Sequence, residues 1–196
     1  MKKITQEELN NLINRKIEDA PMLDLSDTDL SGLSLRGVDL RKVILSVTRL
    51  SKANLSGADL GEADLNEANL SKTKLFGAIL EKAILSGLKP RGANLSGADL
   101  SGADLSMTDL REANLSAADL SKANLRGANL RKANLREADL SGADLSGADL
   151  SGAKLSWAKL SQTNLSKADL TRSKYNKETI WPDGFDPKTA GAILTP

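Results

Sequence analysis

Carboxylates are the side chains of this sequence best suited to chemistry, because it has no histidine and no cysteine. Without histidine the commonest general base and metal ligand is gone. Without cysteine there are no thiol nucleophiles, disulfides or iron–sulfur ligands. What remains is 26 Asp plus Glu, many at one spacing: Asp99, Asp104, Asp109 and Asp139, Asp144, Asp149 each stand just before a leucine. Such a series does acid–base work or holds a hard cation only where the fold converges its members on a shared pocket. The elements that position them decide the matter.

Those elements follow from a repeat. Leucine occupies every multiple of five from Leu25 to Leu170, 30 positions with Pro90 as the single exception. A small residue, mostly alanine, lies two places earlier, and Asp or Asn lies between them at 21 of the 30 positions. Five residues advance a helix by about 500°, which spirals the leucines around it, and an odd period in a flat strand sends them to alternate faces. Neither form gathers them. If each repeat makes one short extended side and then turns a corner, the leucine and the small residue point inward and the residue between them points out. The chain then coils around a leucine-filled axis, with successive coils bonded in parallel about 4.8 Å apart.

The stretch ADLSGADLSGADL is similar to the A(D/N)LXX pattern of the pentapeptide-repeat family, and the likeness runs from about residue 22 to 175. The resemblance implies an all-β fold: a right-handed quadrilateral parallel β-helix of about 20 residues per coil and about seven and a half coils, a rod of roughly 36 Å at the strand spacing. Both ends of such a rod need covers. Thr5-Gln6-Glu7-Glu8 reads as a capping box with Ile4 and Leu9 as its hydrophobic staple. Leu9, Leu12, Ile13 and Ile17 share a face, so residues 6–18 are expected as an amphipathic helix over the first coil, an N-terminal α-helical cap. Tyr175, Trp181 and Phe185 lie among turn-forming residues in a C-terminal lid, whose ending resembles cyanobacterial members of the family. The expected division is 1–20 cap, 21–175 β-helix, 176–196 C-terminal tail.

With four repeats per coil, Asp39, Asp59, Asp99, Asp119 and Asp139 share one side as solvated ladder residues, interleaved with Lys42, Lys82 and Lys122. No acid, base and nucleophile converge, so the expectation is a protein that is not an enzyme, with no cofactor and no metal. Arg91, Arg111 and Arg131 form a second column that offers a face for an anion or a partner carboxylate, with Asp109, Glu112 and Asp149 near enough to pair with them. No aromatic residues alternate with the basic ones, which argues against nucleic acid. Residues after Ile4 turn polar and no stretch reaches the roughly 18 apolar residues of a membrane span, so the reading is cytoplasmic, with no membrane.

Two functions compete. Some members of the family protect DNA gyrase by imitating duplex DNA, and a mimic about 36 Å long wants about 20 negative charges. The chain carries a formal +1, which favours the other reading, a monomeric rigid scaffold or regulatory adaptor for an unidentified protein partner. The candidate surface is the coil of residues 71–90, where Phe76, Ile79 and Ile84 fall at outward positions. Ile44 lies two coils earlier on the side of Ile84 and is expected to extend the band. Within the same coil Pro90 replaces a leucine while Leu88 fills the small-residue site, a swap of nearly constant volume.

Overall fold

The structure, a computed structural model, describes residues 1–14, 22–70, 72–88 and 90–196. The five-residue period closes as a four-sided coil, because each outward residue is bridged in parallel to the residue 20 positions on, as in Asp99 to Asp119 to Asp139. The first side carries outward residues 24, 44, 64 and onward to 164, the second 29 to 169, the third 34 to 174 and the fourth 39 to 159. Nearly every corner is a two-residue turn closed by the N–H of the small residue donating to the carbonyl three back, as from Ala53 to Leu50 at 2.9 Å. The second turn residue takes positive φ, +67° at Gly57 and +61° at Lys52, the signature of a type II turn.

Turns consume most of each repeat, so the sides are single bridges and not extended strands. Only four two-residue strands form among the described residues: β1 (Lys2–Lys3), β2 (Thr28–Asp29), β3 (Lys174–Tyr175) and β4 (Ile193–Leu194). The leucines from Leu25 to Leu170 are buried, as is Pro90 in their column, and alanines fill the sites beside them. Burying each leucine contributes about 1.5–3 kcal/mol before ordering costs, so the whole stack and not one contact holds the rod. Where threonine replaces alanine, its hydroxyl donates to a leucine carbonyl one coil earlier: Thr48 to Leu25 at 3.0 Å, Thr108 to Leu85 at 3.0 Å.

The ends are closed by the chain's own termini. At the start, β1 pairs in parallel with β2 and covers the first rung of the second side. Thr5 and Glu8 exchange hydrogen bonds, 3.2 Å from the Glu8 N–H to Thr5 Oγ1 and 2.7 Å from the Thr5 N–H to Glu8 Oε2, and open helix α1 (Gln6–Asn14). Ile4 and Leu9 are buried and Ile13 packs on the core, whereas Leu12 turns outward. The remainder of the expected helix, with Ile17, lies outside the described residues. At the other end β4 pairs with β3, and Ile180 takes the rung above Lys159. Trp181 stands edge-on to Tyr175 at 5.4 Å and stacks on Phe185 at 5.3 Å.

Candidate interaction surfaces

The outward Asp and Asn side chains have an occupation that the repeat alone did not disclose. Apart from Asn69, whose counterpart lies outside the described residues, each accepts, through Oδ1, the N–H of the residue two places on, as from Ser101 to Asp99 at 3.0 Å and from Arg131 to Asn129 at 3.2 Å. That N–H opens the turn and has no partner in the ladder, which is why a short acceptor is used there. Asn adds a second bond along the rod: Asn134 Nδ2 donates to Asn114 Oδ1 at 2.9 Å, and Asn114 Nδ2 to Asn94 Oδ1 at 3.2 Å.

Phe76, Ile79 and Ile84 stand outside this scheme. They are 60%, 42% and 41% exposed, three open apolar side chains on a single coil. Phe76 occupies the corner between the third and fourth sides, Ile79 the fourth side and Ile84 the first. The band therefore wraps around one coil, crossing the corner where Lys82 pairs with Glu81 at 2.9 Å. Ladder neighbours bound it above and below: Asp59 and Asp99 flank Ile79, Asp64 and Asp104 flank Ile84. Ile44 does not continue it, because Asp64 stands between Ile44 and Ile84 on the same side and Ile44 itself is half-buried. Ser71 and Lys89 of this coil lie outside the described residues. With Lys74, Ile79 and Ile84 in the acceptor positions, the turn amides of Phe76, Glu81 and Ser86 also lack the Asp/Asn oxygen their counterparts receive. Sequence reasoning misses Met107 and Trp157, 72% and 50% exposed, which sit at second turn positions that no hydrophobic rule marks.

In the arginine column the carboxylates named beside it are the partners found. Arg91 Nη2 lies 3.0 Å from Glu112 Oε1, Arg111 grips Asp109 with Nε and Nη2, and Arg131 Nη1 is 3.6 Å from Asp149 Oδ2. Hydrogen bonds from Arg111 hold the Asp109 carboxyl below the usual carboxylate range, against the opposing effect of its partial burial. The acidic column is less compensated. Arg41 serves Asp39 and Asp59, and Lys159 Nζ is 3.4 Å from Asp139, whereas Asp99 and Asp119 have no cation within 4.0 Å among the described residues. No group of three or more acidic residues among the described residues converges to hold a metal ion, and no helix there is long and apolar enough to cross a membrane.

The family model for pentapeptide repeats matches eight copies, at residues 22–46, 48–87, 90–116, 113–152 and 148–174. Among solved structures the chain is similar to HetL, a pentapeptide repeat protein involved in heterocyst differentiation regulation from the cyanobacterium Nostoc sp. strain PCC 7120, with 37% identity over 83% of this chain and 80% of that one and a TM-score of 0.41. It is similar to alr5209, a pentapeptide repeat protein from Nostoc PCC 7120, with 43% identity over 60% of this chain and 84% of that one and a TM-score of 0.38. A trypsin-treated variant of QnrB1, a plasmid-mediated fluoroquinolone resistance protein, is 22% identical over 86% of this chain and 77% of that one with a TM-score of 0.59, a likeness of fold. No curated protein matches the sequence significantly.

Proposed function

The chain belongs to the pentapeptide repeat family, built as right-handed quadrilateral β-helices, and from that membership we propose that it is a non-enzymatic rigid scaffold or regulatory adaptor that binds a protein partner through the coil of residues 71–90. The observation that carries this reading is the exposure of Phe76, Ile79 and Ile84 on one coil of a rod whose outward positions are otherwise mainly polar. Apolar side chains left in water gain nothing from folding and gain about 25 cal/mol per Å² when a partner covers them. The rod presents them without further ordering, so little conformational entropy is lost on binding. The test is affinity capture from the source cells with the parent and with Ile79→Asp/Ile84→Asp, which puts the repeat's own residue at both sites. Equal capture of the same partner by both proteins sinks the reading.

A second reading, a DNA-mimicking topoisomerase ligand, rests on the uncompensated pair Asp99 and Asp119 with Asp104 and Asp144 on the adjoining side. Its strip is short beside the charge density of a duplex. Inhibition of gyrase supercoiling, lost on changing Asp99 and Asp119 to Asn, is the outcome that would promote it above the scaffold.

A further inference from the structure

The net charge of +1 conceals a segregation of charge. Outward positions of the first, second and fourth sides hold all the ladder aspartates, whereas the third carries none: its upper half runs Asn94, Asn114, Asn134, Lys154, Lys174. Lys154 and Lys174 are direct rung partners, two like charges stacked with no carboxylate within 4.0 Å among the described residues. Beside them, at the corner joining the second and third sides, the arginine column changes character. Arg91 and Arg111 are closed on carboxylates, Arg131 is held only loosely, and in the coils above it the first turn positions become Ser151 and Thr171.

The second turn positions of the same corner read Lys132, Gly152, Arg172. Gly152, at φ +68°, leaves a gap in the column of side chains, and the stem of Lys132 lies along it, its Cγ 3.5 Å from where a Cβ on Gly152 would stand. The result is an open groove of about 350 Å³ lined by Arg131, Lys132, Ser151, Gly152, Thr171 and Arg172. One carboxylate, Asp169, also lines it: its Oδ1 accepts the Thr171 N–H at 2.8 Å, and hydrogen bonds from Thr171, with the charge of Arg131 nearby, keep it ionised, so its charge offsets one of the groove's cations. Lys132 and Arg172 have no carboxylate within 4.0 Å among the described residues. Arg131 is balanced by Asp149 and Asp169, so Lys132 and Arg172, one coil either side of Gly152, are the groove's excess cations, with the Ser151 and Thr171 hydroxyls beside them.

We propose that this groove is a binding site for a dianionic phosphoryl group, with Lys132 and Arg172 as its cations and Ser151 and Thr171 as its hydroxyl donors. A guanidinium and an ammonium on opposite sides of a tetrahedral dianion match its charge and its several acceptor oxygens. A carboxylate offers half the charge. A duplex presents singly charged diesters along a line, and the groove has no aromatic platform for bases. The site is independent of the coil of residues 71–90.

The experiment is calorimetric titration of the full chain at constant ionic strength with inorganic phosphate and, separately, with a phosphoserine peptide and its unphosphorylated form. Saturable phosphate binding is expected, weakened about tenfold or more by Lys132→Gln or Arg172→Gln, since each removes one charge-assisted contact. Gly152→Asn, whose side chain tolerates positive φ and fills the gap, is expected to weaken binding without removing a charge. Tighter binding of the phosphopeptide than of free phosphate assigns the group to a protein, and equal binding assigns it to a free anion. Absence of saturable phosphate binding, binding unchanged in the three variants, or a duplex oligonucleotide preferred over phosphate overturns the proposal.

Discussion

The side-chain amide of Gln6 closes on both backbone groups of Ser34: its Nε2 donates to the Ser34 carbonyl and its Oε1 accepts the Ser34 N–H, each at 2.8 Å. These are the two bonds that a preceding coil would make, as Leu33 and Leu35 make them to Asn54. One glutamine thus stands in for a missing rung and blunts an open edge. Gln6→Ala is expected to lower stability by about 1–3 kcal/mol, because a backbone pair at the edge loses its partner. Gln6→Glu keeps the acceptor and loses the donor, and should fall between. Denaturant midpoints, with hydrogen exchange at the Ser34 amide, check both.

Pro90 keeps the leucine column's volume but not its hydrogen bond. In the neighbouring coils the leucine N–H donates to the outward residue of the next coil, as from Leu95 to Asn114 at 2.7 Å and from Leu110 to Asn129 at 2.8 Å. Proline has no N–H, so the Asp109 carbonyl receives none from position 90. Pro90→Leu alone restores the donor but overfills the core beside Leu88, which is 2% exposed. The double change Leu88→Ala/Pro90→Leu should raise stability by about 1 kcal/mol, with the single change at or below the parent. Thermal melts of the three proteins decide.

Ile79→Asp and Ile84→Asp each install the oxygen that the Glu81 and Ser86 amides lack. A restored turn bond contributes about 0.5–1.5 kcal/mol, but each new carboxylate stands between two ladder aspartates that repel it, so Ile79→Asn and Ile84→Asn, which supply the oxygen without the charge, are expected to stabilise the chain more than the Asp forms. Loss of partner capture together with a higher melting temperature would separate a binding defect from a folding defect. A lower melting temperature of the two Asn variants contradicts the role assigned to the outward acceptors.

Acid should weaken the rod. Hydrogen bonds from Ser26 hold Asp24 below its ordinary pKa, those from Arg111 hold Asp109, and those from Thr171 hold Asp169. A carboxyl whose folded pKa is depressed stabilises the fold fully above its unfolded value, about pH 4, and loses that contribution as pH falls through the folded value. The denaturation midpoint is therefore expected to be flat from neutrality to about pH 5 and to drop below about pH 4. Asp109→Asn retains the acceptor for the Arg111 N–H, removes one titrating group, and should flatten the acid limb.

Much of the fold is legible because the repeat carries its own geometry. A leucine every fifth residue with a small residue two before it excludes helix and flat strand. Thr5 and Glu8 and the aromatic tail are equally plain in one dimension. The Asp/Asn positions were visible as a pattern, but their work was not, since a bond to an amide two residues on requires the turn to exist first.

Relations between coils belong to the tertiary structure. Residues 20 apart become neighbours only once the chain closes in four sides, so the stacking decides that Asp64 interrupts Ile44 and Ile84 and that Asp149 loosely balances Arg131. It also decides that Lys132, Gly152 and Arg172 line one groove. Composition sums charges to near zero, whereas solvent screens them pair by pair at distances that only the closed coil sets. The five-residue spacing requires that leucines line an axis; which charges meet around that axis depends on the turns that close each coil.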